Sequence, residues 1–287
     1  MGNWESDNVL VTTDARAFVQ SLRAGDVLIF DTLIWLSNLI KFADNAPANH
    51  CAVVLSEGRL ADAGENTQNH PRDTAVTIFG LHDYLAHSPR THTVRALRPR
   101  AFDPSQVPDL EASVNRFVSP KHEFAVMDMI WLAPSALRRS YEEQLRQGGE
   151  PGPGMTDTFL RWLHRTLLAA AKLAHGRVQA NEFALTCSEF VYRALTRAGL
   201  ELQIESPLTL APPADGYAGP WSAEEVDEEA ELIAGLRDRN ARIDPELAQQ
   251  TLSPAGVEAD RVTPGDLFRS PSLDPVAVLL KPGPPPY

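Results

Sequence analysis

The sequence predicts an α+β fold in which an antiparallel sheet packs against a helix that begins near Cys187. Short apolar runs typical of buried strands occur at residues 27–30 and 49–55. Longer segments at 105–117 and 157–175 carry apolar residues at helical spacing. Both kinds of element are therefore present, and short polar turns between the strands favour antiparallel hairpins.

Composition limits the possible partners and compartments. The 287 residues carry a net charge of -12, which argues against a nucleic-acid partner, and we treat residues 1–287 as a single domain. Two cysteines provide no disulfide framework and fit a reducing compartment. No apolar run approaches the roughly 20 residues of a transmembrane segment. We expect a cytoplasmic protein, or one exported without a leader, and leave its oligomeric state open.

The first hundred residues predict a sheet with two early helices. Gly25-Asp26 forms a turn before the first strand, and Ser56-Glu57-Gly58 turns one strand into the next. The expected elements are a helix at 15–22, a strand at 27–30, a helix at 32–42, and strands at 49–55, 59–63, 75–79 and 92–97.

The middle of the chain predicts a helical insertion at about 105–178, interrupted near Pro134. An acidic excursion follows at about 207–255. Its acidic run, residues 224–231, predicts a solvated helix face, with a basic partner as the alternative. Apolar runs at 262–268 and 276–280 complete the ordered chain.

The segment that begins at Thr186 has the features of a capped helix start. Thr186 is a preferred N-cap residue, and Glu189 completes a Thr-x-x-Glu capping box. Gly199 ends the helix. Cys187 therefore lies in the first turn, where backbone N–H groups and the helix dipole favour a thiolate. The alternative is a small buried side chain, because free cysteines are often buried.

The predicted hairpin fixes which side chains are neighbours. If Leu55 pairs with Arg59, Ala52 pairs with Asp62, and His50 shares a face with Asp62. Diagonal neighbours on paired strands are close enough for a hydrogen bond. Cys51 lies on the opposite face. A thiol, an imidazole and a carboxylate in this arrangement predict a catalytic triad of nucleophile, base and orienting acid.

These segments resemble the circularly permuted NlpC-type papain-like thiol hydrolases, which share their core with the lecithin:retinol acyltransferase-like enzymes. The resemblance implies a permuted papain-like fold with its core at about 23–100, 180–205 and 260–280. The similar segments are Gly-Asp-Val-Leu-Ile-Phe at 25–30, Trp-x-Ser-x-x-Ile-Lys at 35–41, His-Cys-Ala-Val-Val at 50–54, Cys-Ser-Glu-Phe-Val-Tyr at 187–192, and Val-Thr-Pro-Gly-Asp-Leu with Ser-Pro at 262–271.

The same resemblance implies roles for individual residues. Cys187 is the nucleophile, His50 the base and Asp62 the acid. Substrate-binding roles are implied for Trp35, Ser37 and Ser188, with packing as the alternative for Trp35.

This sequence departs from the family pattern at two positions. Asp62 stands where the family often has a glutamate, and Glu65 is the fallback acid. Phe124 stands where we expect the family's tyrosine, and a phenyl ring donates no hydrogen bond to an oxyanion.

We therefore expect a cysteine hydrolase or acyltransferase that cleaves an amide or ester bond through an acyl-thioester, without a cofactor. Its substrate is a peptide, an amide or a lipid acyl group. The competing function is a non-catalytic binding module. A redox thiol would need Cys51 as its partner, which the register turns away from the nucleophile. A zinc site from His50, Cys51, His70 and Cys187 lacks metal-ligand spacing.

Overall fold

The computed structural model describes residues 8–32, 38, 41–42, 44–64, 75–86, 91–118, 122–124, 126–146, 157–175, 183–205, 220–246 and 257–281. Its strands are β1 (Leu10–Thr12), β2 (Val27–Thr32), β3 (His50–Val54), β4 (Arg59–Ala63), β5 (Val76–Gly80), β6 (Thr91–Pro99), β7 (His122–Phe124), β8 (Phe183–Leu185) and β9 (Leu273–Leu280). Its helices are α1 (Ala15–Ser21), α2 (Leu81–Ala86), α3 (Val107–Phe117), α4 (Val126–Arg146), α5 (Asp157–His175), α6 (Cys187–Arg197), α7 (Ala223–Ile243) and α8 (Pro264–Arg269).

Seven strands form one sheet in the order β1-β9-β6-β2-β3-β4-β5, which confirms the predicted α+β class. All neighbouring strands in it are antiparallel except β1, which runs parallel to β9. The expectation of a wholly antiparallel sheet was therefore wrong at one edge. The last strand of the chain lies between the first strand and β6, which no local hairpin pattern predicts.

The β3–β4 hairpin has the predicted register. Ala52 is opposite Asp62, Val54 is opposite Leu60, and the Leu55 amide donates to the Arg59 carbonyl over 2.9 Å. The turn places Gly58 at a φ of 66°, in the left-handed region that glycine adopts without strain. The pairing that sets the candidate site is thus determined by a turn close to it in sequence.

The two faces of the sheet are covered by different helices. Because side chains alternate along a strand, each buried strand contributes to both faces. The first face packs with α3 and α6 and includes Val27, Ile29, Cys51, Val53 and Ala61. The second face packs with α1 and α2 and includes Leu28, Phe30, Ala52, Val54 and Leu60.

The helices α4, α5 and α7 form a separate apolar cluster around Leu137, Leu160 and Trp221. The predicted interruption at Pro134 was wrong, because α4 continues through it. A proline inside a helix costs about 3 kcal/mol, and the buried residues flanking it offset that cost by packing against α5 and α7. Among the described helices, none has both the length and the apolar character needed to cross a membrane.

The acidic run on α7 is only partly solvated, which corrects that prediction. Glu229 is 1% exposed, and it accepts hydrogen bonds from Ser135 and from the ring of His164. Glu225 is also buried and pairs with Arg165. These two carboxylates join α7 to α4 and α5, because a buried charge needs a partner.

Thr32, the first residue of the predicted helix at 32–42, belongs to a strand instead. Thr32 is the last residue of β2 and pairs with Thr91 of β6, because cross-strand pairing extends β2 past the apolar run. Residues 33–37, which include the predicted cleft residues Trp35 and Ser37, lie outside the described residues.

A buried ion cluster joins α4 to the sheet domain. Arg139 donates to Asp266 over 2.7 Å and also bonds Asp44, while Arg269 contacts Asp44 at 3.2 Å. The amide of Gly265 donates to Asp44 over 2.8 Å, and a Cβ at position 265 would lie 2.2 Å from that carboxylate. Gly265 is therefore required by this close approach.

Candidate active site

The nucleophile candidate lies at the start of α6, as predicted. Thr186 caps the helix by accepting a hydrogen bond from the Glu189 amide over 3.2 Å. The second half of the expected capping box is missing, because the Glu189 carboxylate instead pairs with Arg193 at 2.7 Å, both buried. Cys187 is thus the first residue of a capped helix, where the free N–H groups favour a negatively charged sulfur.

The far end of α6 is closed by Gly199 at a φ of 84°. Its amide donates to Thr196 over 3.0 Å, and the next amide donates to Leu195 over 3.1 Å, which is the Schellman pattern. The predicted glycine cap is confirmed, and the helix is fixed at both ends.

His50 and Asp62 meet as the hairpin register predicted. The ring nitrogen Nε2 of His50 lies 2.7 Å from Oδ1 of Asp62, whose side chain is 2% exposed. The second carboxylate oxygen accepts a hydrogen bond from the Tyr84 hydroxyl over 2.6 Å. Asp62 is therefore held at both oxygens and orients the imidazole.

Sequence reasoning missed Tyr84. It lies on α2, a helix directly after β5, and β5 pairs with β4 so that Thr77 is opposite Asp62. The Phe30 ring packs between the two functional groups, 5.6 Å from the His50 ring and 5.8 Å from the Tyr84 ring. The pairing of β4 with β5 was the signal that could have placed α2 beside the carboxylate.

Cys51 and His50 are the neighbours that act on the Cys187 thiol, since hydrogen bonding to Cys51 and the charge of His50 both lower its pKa. Because Asp62 occupies Nε2 of His50, the nitrogen that faces the sulfur is Nδ1. The bond from the Cys51 thiol is the largest cause that holds the pKa of Cys187 well below its ordinary value. Burial opposes this shift, and the imidazolium of His50 reinforces it.

The imidazole shows the complementary shift. Burial lowers the pKa of His50, but the charges of Asp62 and Cys187 together outweigh burial and raise that pKa well above its ordinary value. A thiol with a lowered pKa beside an imidazole with a raised pKa favours the thiolate–imidazolium pair.

The position of Cys51 corrects one inference from the sequence. Its side chain lies on the opposite face from His50, as the register predicts, but α6 packs on that same face. Cys51 therefore contacts Cys187 instead of pointing away from it, while His50 reaches the sulfur from the end of β3. Burial is the largest cause that raises the pKa of Cys51, followed by its hydrogen bond to Cys187.

Exposure within the site is uneven. The Cys187 side chain is buried with 0% exposure, whereas the His50 side chain is 17% exposed. Ser188 is also buried, and its hydroxyl lies 3.5 Å from the Thr186 hydroxyl, so this predicted substrate residue has an internal partner. The fallback acid Glu65 lies outside the described residues.

The segment that carries Phe124 runs beside the start of the nucleophile helix. β7 pairs in parallel with β8, and Phe124 is opposite Leu185, two residues before Cys187. The family comparison predicted an oxyanion donor in this segment, and the backbone brings position 124 to the strand that leads into α6.

Metal ligation was the other chemistry considered for these side chains. Within the described residues, no group of three or more His, Cys, Asp or Glu side chains is arranged to hold a metal ion. His70, the remaining member of the zinc set considered from sequence, lies outside them.

Comparison with known proteins gives a likeness among solved structures. No protein-family model and no curated protein matches the sequence. Among solved structures, the chain is similar to the metalloprotein YiiX from Escherichia coli O157:H7, with a TM-score of 0.43 and 14% sequence identity. The comparison covers 92% of this chain and 99% of that chain.

Replacing Tyr84 by phenylalanine is expected to destabilise the protein by about 1–3 kcal/mol, because a buried carboxylate oxygen of Asp62 loses the hydrogen bond from the Tyr84 hydroxyl. Urea unfolding measures this loss. An unchanged free energy of unfolding would show that the Tyr84 hydroxyl does not support Asp62.

Proposed function

We propose that this chain is a cysteine hydrolase or acyltransferase that cleaves an amide or ester bond through an acyl-thioester. One observation carries the proposal: the helix that begins at Cys187 packs against the strand of His50, whose charge lowers the pKa of the thiol and whose Nε2 lies 2.7 Å from a buried aspartate. A nucleophile, its base and an orienting acid in contact are the arrangement that covalent acyl transfer requires.

In the first step of this mechanism, the Cys187 thiolate attacks the carbonyl carbon of the substrate, and the carbonyl electron pair moves to oxygen. The backbone N–H of Cys187 at the start of α6 donates to this oxyanion. The tetrahedral intermediate then collapses, and Nδ1–H of His50 protonates the departing nitrogen or oxygen. Asp62 stabilises the imidazolium throughout and keeps its ring oriented.

In the second step, neutral His50 removes a proton from water or from an acceptor hydroxyl or amine. That nucleophile attacks the thioester carbon and expels the Cys187 thiolate. Water gives hydrolysis and another acceptor gives acyl transfer, so the proposed chemistry of the protein residues is the same for both outcomes.

We further propose that the chain is a member of the circularly permuted NlpC-type papain-like superfamily, to which the acyltransferase-like enzymes also belong. Two features support this assignment. The base, His50, precedes the nucleophile in sequence, and the helix that begins at Cys187 packs against β3, the strand that carries the base.

Two substrate classes fit the proposed chemistry, namely peptide amides and lipid acyl esters. A non-catalytic binding module is the competing function. Phe124 motivates it, because β7 pairs with the strand that leads into α6 and has at position 124 no phenol to donate a hydrogen bond to an oxyanion. Purified protein is to be assayed against peptide, phospholipid and acyl-thioester panels, with Cys187→Ala as the blank.

Alkylation of Cys187 by iodoacetamide is expected to reach half its maximal rate well below pH 8.5, about the pKa of a free thiol, because only the thiolate reacts. In His50→Ala the midpoint should rise by about 1–3 pH units, since the facing positive charge is lost. Peptide mass mapping separates the label on Cys187 from that on Cys51, whose pKa burial raises above its ordinary value.

A His82→Ala variant is the matched control for the imidazole, because the His82 side chain is 65% exposed and pairs only with a surface carboxylate, Asp83. Its alkylation profile should match that of the unmodified sequence. An ordinary thiol profile for Cys187 in the unmodified sequence would favour the binding module.

A further inference from the structure

The active-site thiol has a second thiol beside it. The chain has two cysteines, and both are free and fully buried in the same apolar cluster, where α6 packs against β3. Residue 51 lies inside a strand paired on both sides, whereas residue 187 begins a helix. The proposed hydrolytic mechanism uses only one of these sulfurs, so the second is available for other chemistry.

We propose that Cys51 and Cys187 form a reversible disulfide on exposure to peroxide, which protects the nucleophile and switches it off. The assignment rests on the place of both side chains in one buried cluster between β3 and α6 and on the sequence, which offers neither of them another cysteine in the same chain. It does not depend on the proposed hydrolase activity, because any reactive Cys187 thiolate enters the same reaction.

The pKa values of the two thiols are shifted in opposite directions, as oxidation by peroxide followed by disulfide formation requires. Cys187 carries the negative charge, since Cys51 and His50 both donate to its sulfur. Cys51 stays protonated beside it, because burial and the neighbouring negative charge raise its pKa. Peroxide therefore reacts with Cys187 first, and Cys51 is placed to resolve the product.

The step balances with hydrogen peroxide as the oxidant. The Cys187 thiolate attacks one peroxide oxygen, the O–O bond breaks, and the sulfenic acid Cys187–SOH forms with release of hydroxide. The Cys51 sulfur then attacks the Cys187 sulfur as the S–O bond breaks, and the Cys51 proton leaves in water. The hydroxide takes the proton that the Cys187 thiol had given to His50, so in total two thiols and one peroxide give one disulfide and two waters, with both sulfurs oxidised and the peroxide reduced.

Forming the bond requires a small movement at the start of α6. The sulfurs of a disulfide lie about 2.05 Å apart, closer than hydrogen-bonded thiols. Cys51 lies within the sheet, opposite Ile29 of β2, so Cys187 at the start of its helix is the side that moves. This movement takes the sulfur away from the His50 ring, and the oxidised protein has no thiolate to react with a substrate or an alkylating agent.

The test treats the full chain with hydrogen peroxide and counts free thiols after denaturation. The expected result is the loss of both thiols, an intact mass lower by two hydrogen atoms, and a non-reduced peptide that links residues 51 and 187. Dithiothreitol should restore both thiols. Cys51→Ser keeps a hydrogen-bond donor beside the nucleophile but removes the resolving sulfur, so Cys187 should instead gain oxygen atoms that dithiothreitol does not remove.

Oxygen addition to Cys187 of the unmodified sequence, without a disulfide, would overturn the proposal, and so would a disulfide only between two chains. The intact mass of the peroxide-treated unmodified sequence distinguishes a disulfide from added oxygen, even if Cys51→Ser does not fold. These measurements detect the disulfide and do not depend on activity. A protein that forms the disulfide but cleaves no substrate would support this inference and contradict the proposed function.

Discussion

Replacing Cys187 or His50 by alanine is expected to lower kcat by about 10⁶-fold on any substrate that the panels identify, because the nucleophile and its base act as one unit. Each of the two residues shifts the pKa of the other, and in the proposed mechanism neither forms the acyl-thioester alone. The double variant should therefore be no less active than either single variant. Steady-state kinetics with the three proteins measure this non-additivity.

His82→Ala again serves as the control for removal of an imidazole, since its side chain is 65% exposed and outside the site. Its kcat should be unchanged. If the two losses multiplied in the double variant, or if Cys187→Ala kept its activity, the residues would act independently and the proposed covalent mechanism would be wrong.

The second large effect concerns stability. Arg139→Met is expected to lower the free energy of unfolding by about 3–5 kcal/mol, because it leaves two buried carboxylates with one fewer positive partner. Asp44 and Asp266 are 3% and 4% exposed, and of their two guanidinium partners among the described residues Arg269, whose side chain is 21% exposed, would remain. Methionine keeps the volume of the side chain, so urea unfolding reports mainly the lost charge.

The sign of the pH dependence follows from Asp266. Burial, the largest cause, raises the pKa of Asp266 above its ordinary value, and Arg139 opposes that shift. Without Arg139 the pKa rises further, so the folded variant binds more protons than the unfolded chain above the ordinary carboxyl pKa. Its deficit in stability should therefore grow as pH rises through that window and shrink in acid.

Arg100→Met is the matched control for Arg139→Met. Arg100 pairs with Asp274 on the surface, with side chains 61% and 52% exposed, and water screens that pair. Its unfolding midpoint in urea should be unchanged. An Arg139→Met protein as stable as this control would mean that the buried carboxylates are protonated and need no cation.

The sequence was informative where the determining interactions are local. The register of β3 with β4 follows from the turn at 56–58, and it alone brings His50 within 2.7 Å of Asp62. The boundaries of α6 follow from Thr186 and Gly199. Both are short-range signals, in which one turn or one cap determines the positions of the residues that follow.

Features set by packing between distant segments were not predictable in the same way. The register placed the Cys51 side chain on the correct face of the sheet. The face that α6 covers is set by tertiary packing, so the inference that Cys51 points away from Cys187 was wrong. Tyr84 depends on the pairing of β4 with β5, and Pro134 lies within a continuous helix because its neighbours are buried against α5 and α7. No local pattern encodes these contacts.

The central position of β9 has a consequence for how the chain acquires its shape during synthesis. β9 lies between β1 and β6, so β1 has no strand to pair with until residues 273–280 have left the ribosome. Such distant pairing is slow because a long loop must close first. The nascent polypeptide therefore presents an open edge at β6 until β9 has been synthesised, and an unpaired strand edge of this kind is prone to aggregation.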